Sequence, residues 1–203
     1  MTNAGVSAMR DYDTLPVHRL TGTVYVSRPA PPKSVTLESP ALDVMTDLRH
    51  TLAAVIEPRV TMDAANAYMM QRGVRSLLVL NHDRALGGVI TADDVLGEKP
   101  LRLSEERRIK HHDILVADIM TPLDRLEAIP LEDARHAKVG HVIRTLRDTG
   151  RQHTLVIEKL AHGKVQVCGI FSLSQIEKQL GAPIESTGVA TSFAEIEATL
   201  QAS

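Results

Sequence analysis

The sequence predicts a mixed α/β (α+β) chain in which one β-α-β-β-α unit occurs twice and the two copies pack sheet to sheet. Three observations carry this. Asp43-Val44-Met45-Thr46-Asp47 recurs as Asp118-Ile119-Met120-Thr121-Pro122. Each copy then runs through a short apolar stretch ending in proline (Pro58, Pro130) into a helix-like segment that stops at glycine, Gly73 or Gly150. Each closes with two β-rich runs, a turn between them, and a short polar-to-apolar segment. Self-similarity of this kind is the first thing to seek in a sequence, because it fixes the architecture before any single element is assigned.

The elements follow in order. In copy one the helical face is drawn through Ala64, Ala67, Met70 and Gln71, with Ala65, Tyr68 and Met69 beside it. In copy two Val139, Val142, Ile143 and Leu146 recur at helical spacing, which is the signature of an amphipathic helix. Gly73 and Gly150 suit C-terminal caps. Leu77-Leu78-Val79-Leu80 and Leu155-Val156-Ile157 read as strands. Asn81-His82-Asp83-Arg84 and the longer Lys159-Leu160-Ala161-His162-Gly163-Lys164 read as hairpin loops. The second strand of each hairpin contains Gly88-Val89-Ile90-Thr91 or Gly169-Ile170-Phe171-Ser172. The extra residues of copy two fall in its helical segment and hairpin, where a surface tolerates them. One such unit alone has a thin core, and pairing the two sheets covers the apolar face that each would expose.

The copies span residues 43–98 and 115–181. Residues 1–42 read as an irregular extension broken by Pro29-Ala30-Pro31-Pro32, with an edge strand possible at 20–26. Residues 99–114 are charged and read as a solvated, partly helical linker. In the tail, 182–203, Ser192 and Glu195 suit a capping box, and Phe193, Ile196 and Leu200 form an apolar stripe.

Composition narrows the function. The chain has 203 residues, 43% hydrophobic and 24% charged, with a formal net charge of −2. There is no global basic field to attract nucleic acid. With no Trp, two Phe and three Tyr, stacking platforms for single strands are not expected either. The polar N-terminus does not resemble a secretory signal, and no run of about 18 apolar residues suggests a membrane span. The expected location is the cytoplasm. The lone Cys168 lies in an apolar run and reads as a small buried hydrophobe. His136 and His141 lack zincin spacing, and the adjacent His111 and His112 do not converge, so no metal site is expected. Nucleophile elbow, phosphate-binding loop and dinucleotide fingerprint are all missing from the sequence, so it is not read as an enzyme.

The ordered double occurrence of Asp-x-Met-Thr, strand, helix, strand, Gly-apolar-x-Thr/Ser and short helix resembles the cystathionine-β-synthase (CBS) domain, and the two copies resemble a Bateman module. The resemblance covers most of the chain. It implies a regulatory module whose paired domains form two clefts for an adenosine-containing ligand: AMP, ADP, ATP or S-adenosylmethionine. No cofactor is implied beyond that regulatory ligand. The family's ligand motif, Gly-apolar-x-Thr/Ser-x-x-Asp, is matched in copy one by Gly88, Val89, Thr91 and Asp94. Asp94 would accept from ribose hydroxyls, and Thr91 with the free N–H groups of the helix start would face phosphate. In copy two Ser172 keeps the hydroxyl but Gln175 replaces the carboxylate, so the Asp94 cleft is expected to be favoured. The basic positions before the second strand are Arg75 and His153, with Arg151 nearby. The resemblance also implies a homodimer and a separate effector protein; a ligand-free scaffold that docks a partner is the alternative.

Overall fold

The computed structural model describes residues 13–27 and 33–184. The chain divides into two units, Met1–Pro31 and Pro32–Ser203. In the first, residues 13–27 form no strand, and Leu20, Val24, Tyr25 and Val26 are exposed. The edge strand expected at 20–26 is therefore absent. β-propensity records how a side chain fits a half-buried sheet surface, and this segment joins no ladder among the described residues. The helix expected after Ser192 lies outside the described residues.

The second unit runs β1 (Thr46–Asp47), β2 (Val55–Ile56), α1 (Met62–Arg72), β3 (Ser76–Leu80), β4 (Leu86–Thr91), α2 (Ala92–Leu96) and α3 (Lys99–Arg107). It continues α4 (Val116–Ile119), β5 (Thr121–Pro122), β6 (Ala128–Pro130), α5 (Leu131–His136), α6 (Val139–Asp148), β7 (His153–Lys159), β8 (Val165–Ser172) and α7 (Leu173–Leu180). Local chemistry explains the main helix of copy one. Thr61 Oγ1 accepts from the Ala64 N–H at 3.4 Å, and Gly73, at φ 64°, ends the helix while its N–H reaches the Met69 and Met70 carbonyls. A left-handed residue at that point is cheap only for glycine.

The buried face of α1 differs from the one expected. Met62, Ala65 and Met69 are buried, whereas Met70 is 70% exposed and Ala64, Ala67 and Gln71 face solvent. Alanine and methionine lie nearly all round this helix, so periodicity marks no single stripe and the sheet decides which side is covered. In α6 the expected Val139, Val142, Ile143 and Leu146 are all buried. The extra length of copy two goes into α5 and a longer β7–β8 hairpin.

Two four-stranded sheets form, in the orders β1-β8-β7-β6 and β2-β3-β4-β5. Within each copy the first pairing is parallel (β2 with β3, β6 with β7) and the hairpin antiparallel. The leading Asp-x-Met-Thr segments cross over. Thr46 pairs with Ile170 on β8, and Thr121 pairs with Val89 on β4. Each copy thus supplies an edge strand to the other copy's sheet.

The helices cover the outer faces over two cores. One contains Met62, Met69, Leu77, Val79 and Ile90, and it is completed by Ile114, Val116 and Ile119. The other contains Val142, Leu146, Val156, Phe171 and Ile176, and it is completed by Val35, Ala41 and Val44. Residues read from sequence as irregular extension or linker therefore close each core, with Ile114 and Ala41 fully buried. A third cluster, Leu78, Val89 and Leu155 with Leu126 and Ile170 against it, joins the two inner sheet faces. This is the sheet-to-sheet packing that the apolar inner strands require. Cys168 is buried in the second core, where burial pushes its thiol pKa up.

Candidate functional site

Two clefts are each walled by both copies. The smaller, about 300 Å³, takes Val89, Thr91, Asp93 and Asp94 from copy one and Glu127, Arg151, His153 and Leu155 from copy two. The larger, about 480 Å³, takes Ser172, Ser174, Gln175 and Lys178 from copy two and Arg72, Arg75 and Ser76 from copy one. The motif of one copy thus faces the segment before the second strand of the other. Both volumes fall in the range of small-molecule sites. Ser76, His153 and Ile170 line both clefts.

Of the residues singled out in the sequence, Val89, Thr91, Asp94 and His153 meet in the smaller cleft. Arg75, His153, Ser172 and Gln175 meet in the larger. Gly88 lines neither cleft. It pairs with Pro122, and a Cβ on it would meet the Thr121 carbonyl oxygen at 2.5 Å. Its glycine is needed for the close approach of β5. Gly169 is the counterpart, lying under the Met45 side chain.

Thr91 and Asp94 hold each other. Asp94 Oδ2 accepts from the Thr91 N–H at 2.8 Å and from Thr91 Oγ1 at 2.7 Å, and the Asp94 N–H donates to Thr91 Oγ1 at 3.2 Å. This is a complete capping box at the start of α2. The other carboxylate oxygen, Oδ1, accepts from Lys99 Nζ on α3, and Lys99 also donates to the Ile119 carbonyl at 3.4 Å. Asp94 is only 7% exposed. A carboxylate offers about four lone-pair positions. Oδ2 is filled by its two Thr91 bonds and Oδ1 is shared with Lys99, so a ligand needing both oxygens has to displace a Thr91 bond and compete with Lys99.

The matching positions of copy two are less committed. Ser172 makes no cap bond; its Oγ lies 3.0 Å from Ser174 Oγ. Among the described residues Gln175 reaches only Gln179, at 3.4 Å. Gln179 in turn is buried and donates to the Asp43 carbonyl at 3.0 Å, tying α7 to the segment before β1.

Charge divides between the clefts. The smaller carries Asp93, Asp94 and Glu127 against Arg151, which pairs with Glu127 at 3.1 Å. The larger carries Arg72, Arg75 and Lys178 and, among the described residues, no carboxylate in its lining. Arg75 spans the boundary, donating to Asp93 at 3.2 Å. His153 is mostly buried, and its Nδ1 makes no hydrogen bond among the described residues. Burial, helped by Arg75 and opposed by Asp93, pushes its pKa down to about 4. The ring is therefore neutral at pH 7 and can offer one donor and one acceptor.

Sequence reasoning missed Lys99, Arg72, Lys178, Asp93 and Glu127. Helical spacing offered a signal for one of them, since Lys178 follows Gln175 by three positions on the same helix and shares its face. Lys99 carried no local signal, because its partner lies across a helix break.

The sequence matches no protein-family model and no curated protein. Solved structures do match. A conserved protein from Pyrococcus horikoshii is 24% identical over 75% of this chain and 100% of its own, with a TM-score of 0.52. A CBS-domain containing protein from Agrobacterium tumefaciens is 14% identical over 70% of this chain and 94% of its own, with a TM-score of 0.51. A CBS-pair protein from Arabidopsis thaliana is 22% identical over 70% of this chain and 92% of its own, at 0.46. Two repeats with exchanged edge strands, packed sheet to sheet around paired clefts, give this chain the fold of a tandem CBS-domain pair.

Proposed function

We propose that the chain is a non-enzymatic regulatory module that binds an adenosine-containing ligand in the clefts between its two repeats. The observation that carries this reading is the reciprocal construction of the clefts. Each sets a Thr/Ser-bearing helix start of one repeat against a cationic or imidazole-bearing strand entry of the other. The apolar floor of Leu78, Val89, Leu155 and Ile170 suits a purine, and the polar rim suits a ribose or phosphate. A ligand held by both repeats favours one relative arrangement of the two, which is the elementary step of a population-shift sensor. The output would pass to a separate effector protein, through a homodimer in the cytoplasm, as a report of adenylate or S-adenosylmethionine level.

One observation favours a second reading, a ligand-free interaction scaffold. The Asp94 carboxylate is already satisfied by Thr91 and Lys99. Calorimetric titration with AMP, ATP and S-adenosylmethionine separates the two. Saturable binding of one of them, weakened by substitution in the cleft lining, is expected. Absence of heat and of thermal stabilisation with all three would overturn the sensor reading and leave the scaffold.

A further inference from the structure

We infer that the larger, Gln175-bearing cleft is selective for a polyanionic ligand, a nucleoside di- or triphosphate or an inorganic polyphosphate, and that Arg72 and Lys178 set this selectivity. The inference rests on reading the clefts as ligand sites and goes further by dividing chemistry between them.

The first ground is the lining itself. Arg72, at the end of α1, and Lys178, on α7, come from different repeats and edge one cleft of about 480 Å³ whose lining, among the described residues, has no carboxylate. Neither makes an ion pair or side-chain hydrogen bond with a described residue, unlike Arg75, which is shared with Asp93. Both cations are solvent-exposed at the cleft, so their mutual repulsion is screened, and what they supply is a positive local field with donors left free for an anion.

The second ground is the state of the neutral donors. Among the described residues the Ser172 and Ser174 hydroxyls bond only each other, and the Gln175 amide has one long contact. Replacing a carboxylate by Gln175 removes a negative charge and supplies an N–H₂ donor, which suits phosphate oxygens. The smaller cleft has the opposite character, with Asp93, Asp94 and Glu127 in its lining. A sulfonium-bearing ligand is disfavoured in the larger cleft by the same charges.

The test uses the full chain with adenosine, ATP and inorganic triphosphate as probes, against the double variant Arg72→Gln/Lys178→Gln. Lys159→Gln, an exposed cation outside both clefts, is the control, and thermal melting checks that each variant folds. ATP is expected to bind at least about tenfold more tightly than adenosine, with an affinity that falls as salt rises. The double variant should lose that tenfold while its adenosine affinity is kept. Triphosphate binding that depends on the pair, with no adenosine binding, would sustain this inference and overturn the adenosine reading. Adenosine binding as tightly as ATP, or ATP and triphosphate binding alike in wild type and double variant, would overturn the inference and leave the adenosine reading intact.

Discussion

Thr91 Oγ1 donates to Asp94 Oδ2 across 2.7 Å, and the same oxygen takes the Thr91 N–H at 2.8 Å. Two residues that look like a ligand motif in sequence thus serve first as the N-terminal lock of α2. Asp94→Ala removes both bonds and leaves Lys99 without its partner. It should cost about 1–2 kcal/mol of folding stability, as loss of a helix cap does. Urea denaturation followed by circular dichroism measures this. An unchanged midpoint would show that the cap contributes nothing.

Lys99 gives a cleaner test of ligand access. Lys99→Met keeps the stem and removes the ammonium from Asp94 Oδ1. The stability loss should stay within about 1–2 kcal/mol, because Asp94 keeps its three Thr91 bonds. If the smaller cleft holds a ribose, the freed oxygen should raise adenosine affinity several-fold, as calorimetry would report. Weaker binding in the variant would mean that Lys99 contacts the ligand instead of competing with it.

His153 makes stability depend on pH. Its folded pKa, about 4, lies below the 6.5 of an ordinary histidine because burial penalises the charged ring. Between those values the unfolded chain binds more protons than the folded one. Its contribution is therefore complete above about pH 6.5 and is lost as pH falls toward 4, by at most about 3 kcal/mol. His153→Leu should flatten the stability curve in that window. A variant with the same pH dependence as wild type would assign the effect to other groups.

The two crossover glycines should respond unequally to alanine. At Gly88 the new Cβ meets the backbone oxygen of Thr121 at 2.5 Å, and at Gly169 it meets Met45 Sδ at 2.4 Å. A thioether side chain can rotate away, whereas a paired strand cannot. Gly88→Ala should cost about 1–3 kcal/mol, the usual range for overpacking, and Gly169→Ala less. Equal losses measured by thermal melting would show that the Met45 side chain is as fixed as the backbone.

Local signals in the sequence determined the repeated β-α-β-β-α unit. Gly73 ends α1 because it takes a positive φ, and Val139, Val142, Ile143 and Leu146 repeat at the period that turns one face inward. The runs around Leu78 and Val156 are apolar enough to need cover on both sides. Such features act within a few residues, so they can be read without a fold. Tertiary structure alone decided that Thr46 and Thr121 cross to the other repeat, that Val35 and Ile114 close the cores, and which side of α1 is buried. It also decided that Lys99 occupies Asp94, and that Arg72 and Lys178 share the cleft of Gln175. These pairings join residues distant in sequence or separated by a break between elements. Their energies depend on burial and distance, and neither quantity exists until the two sheets have packed.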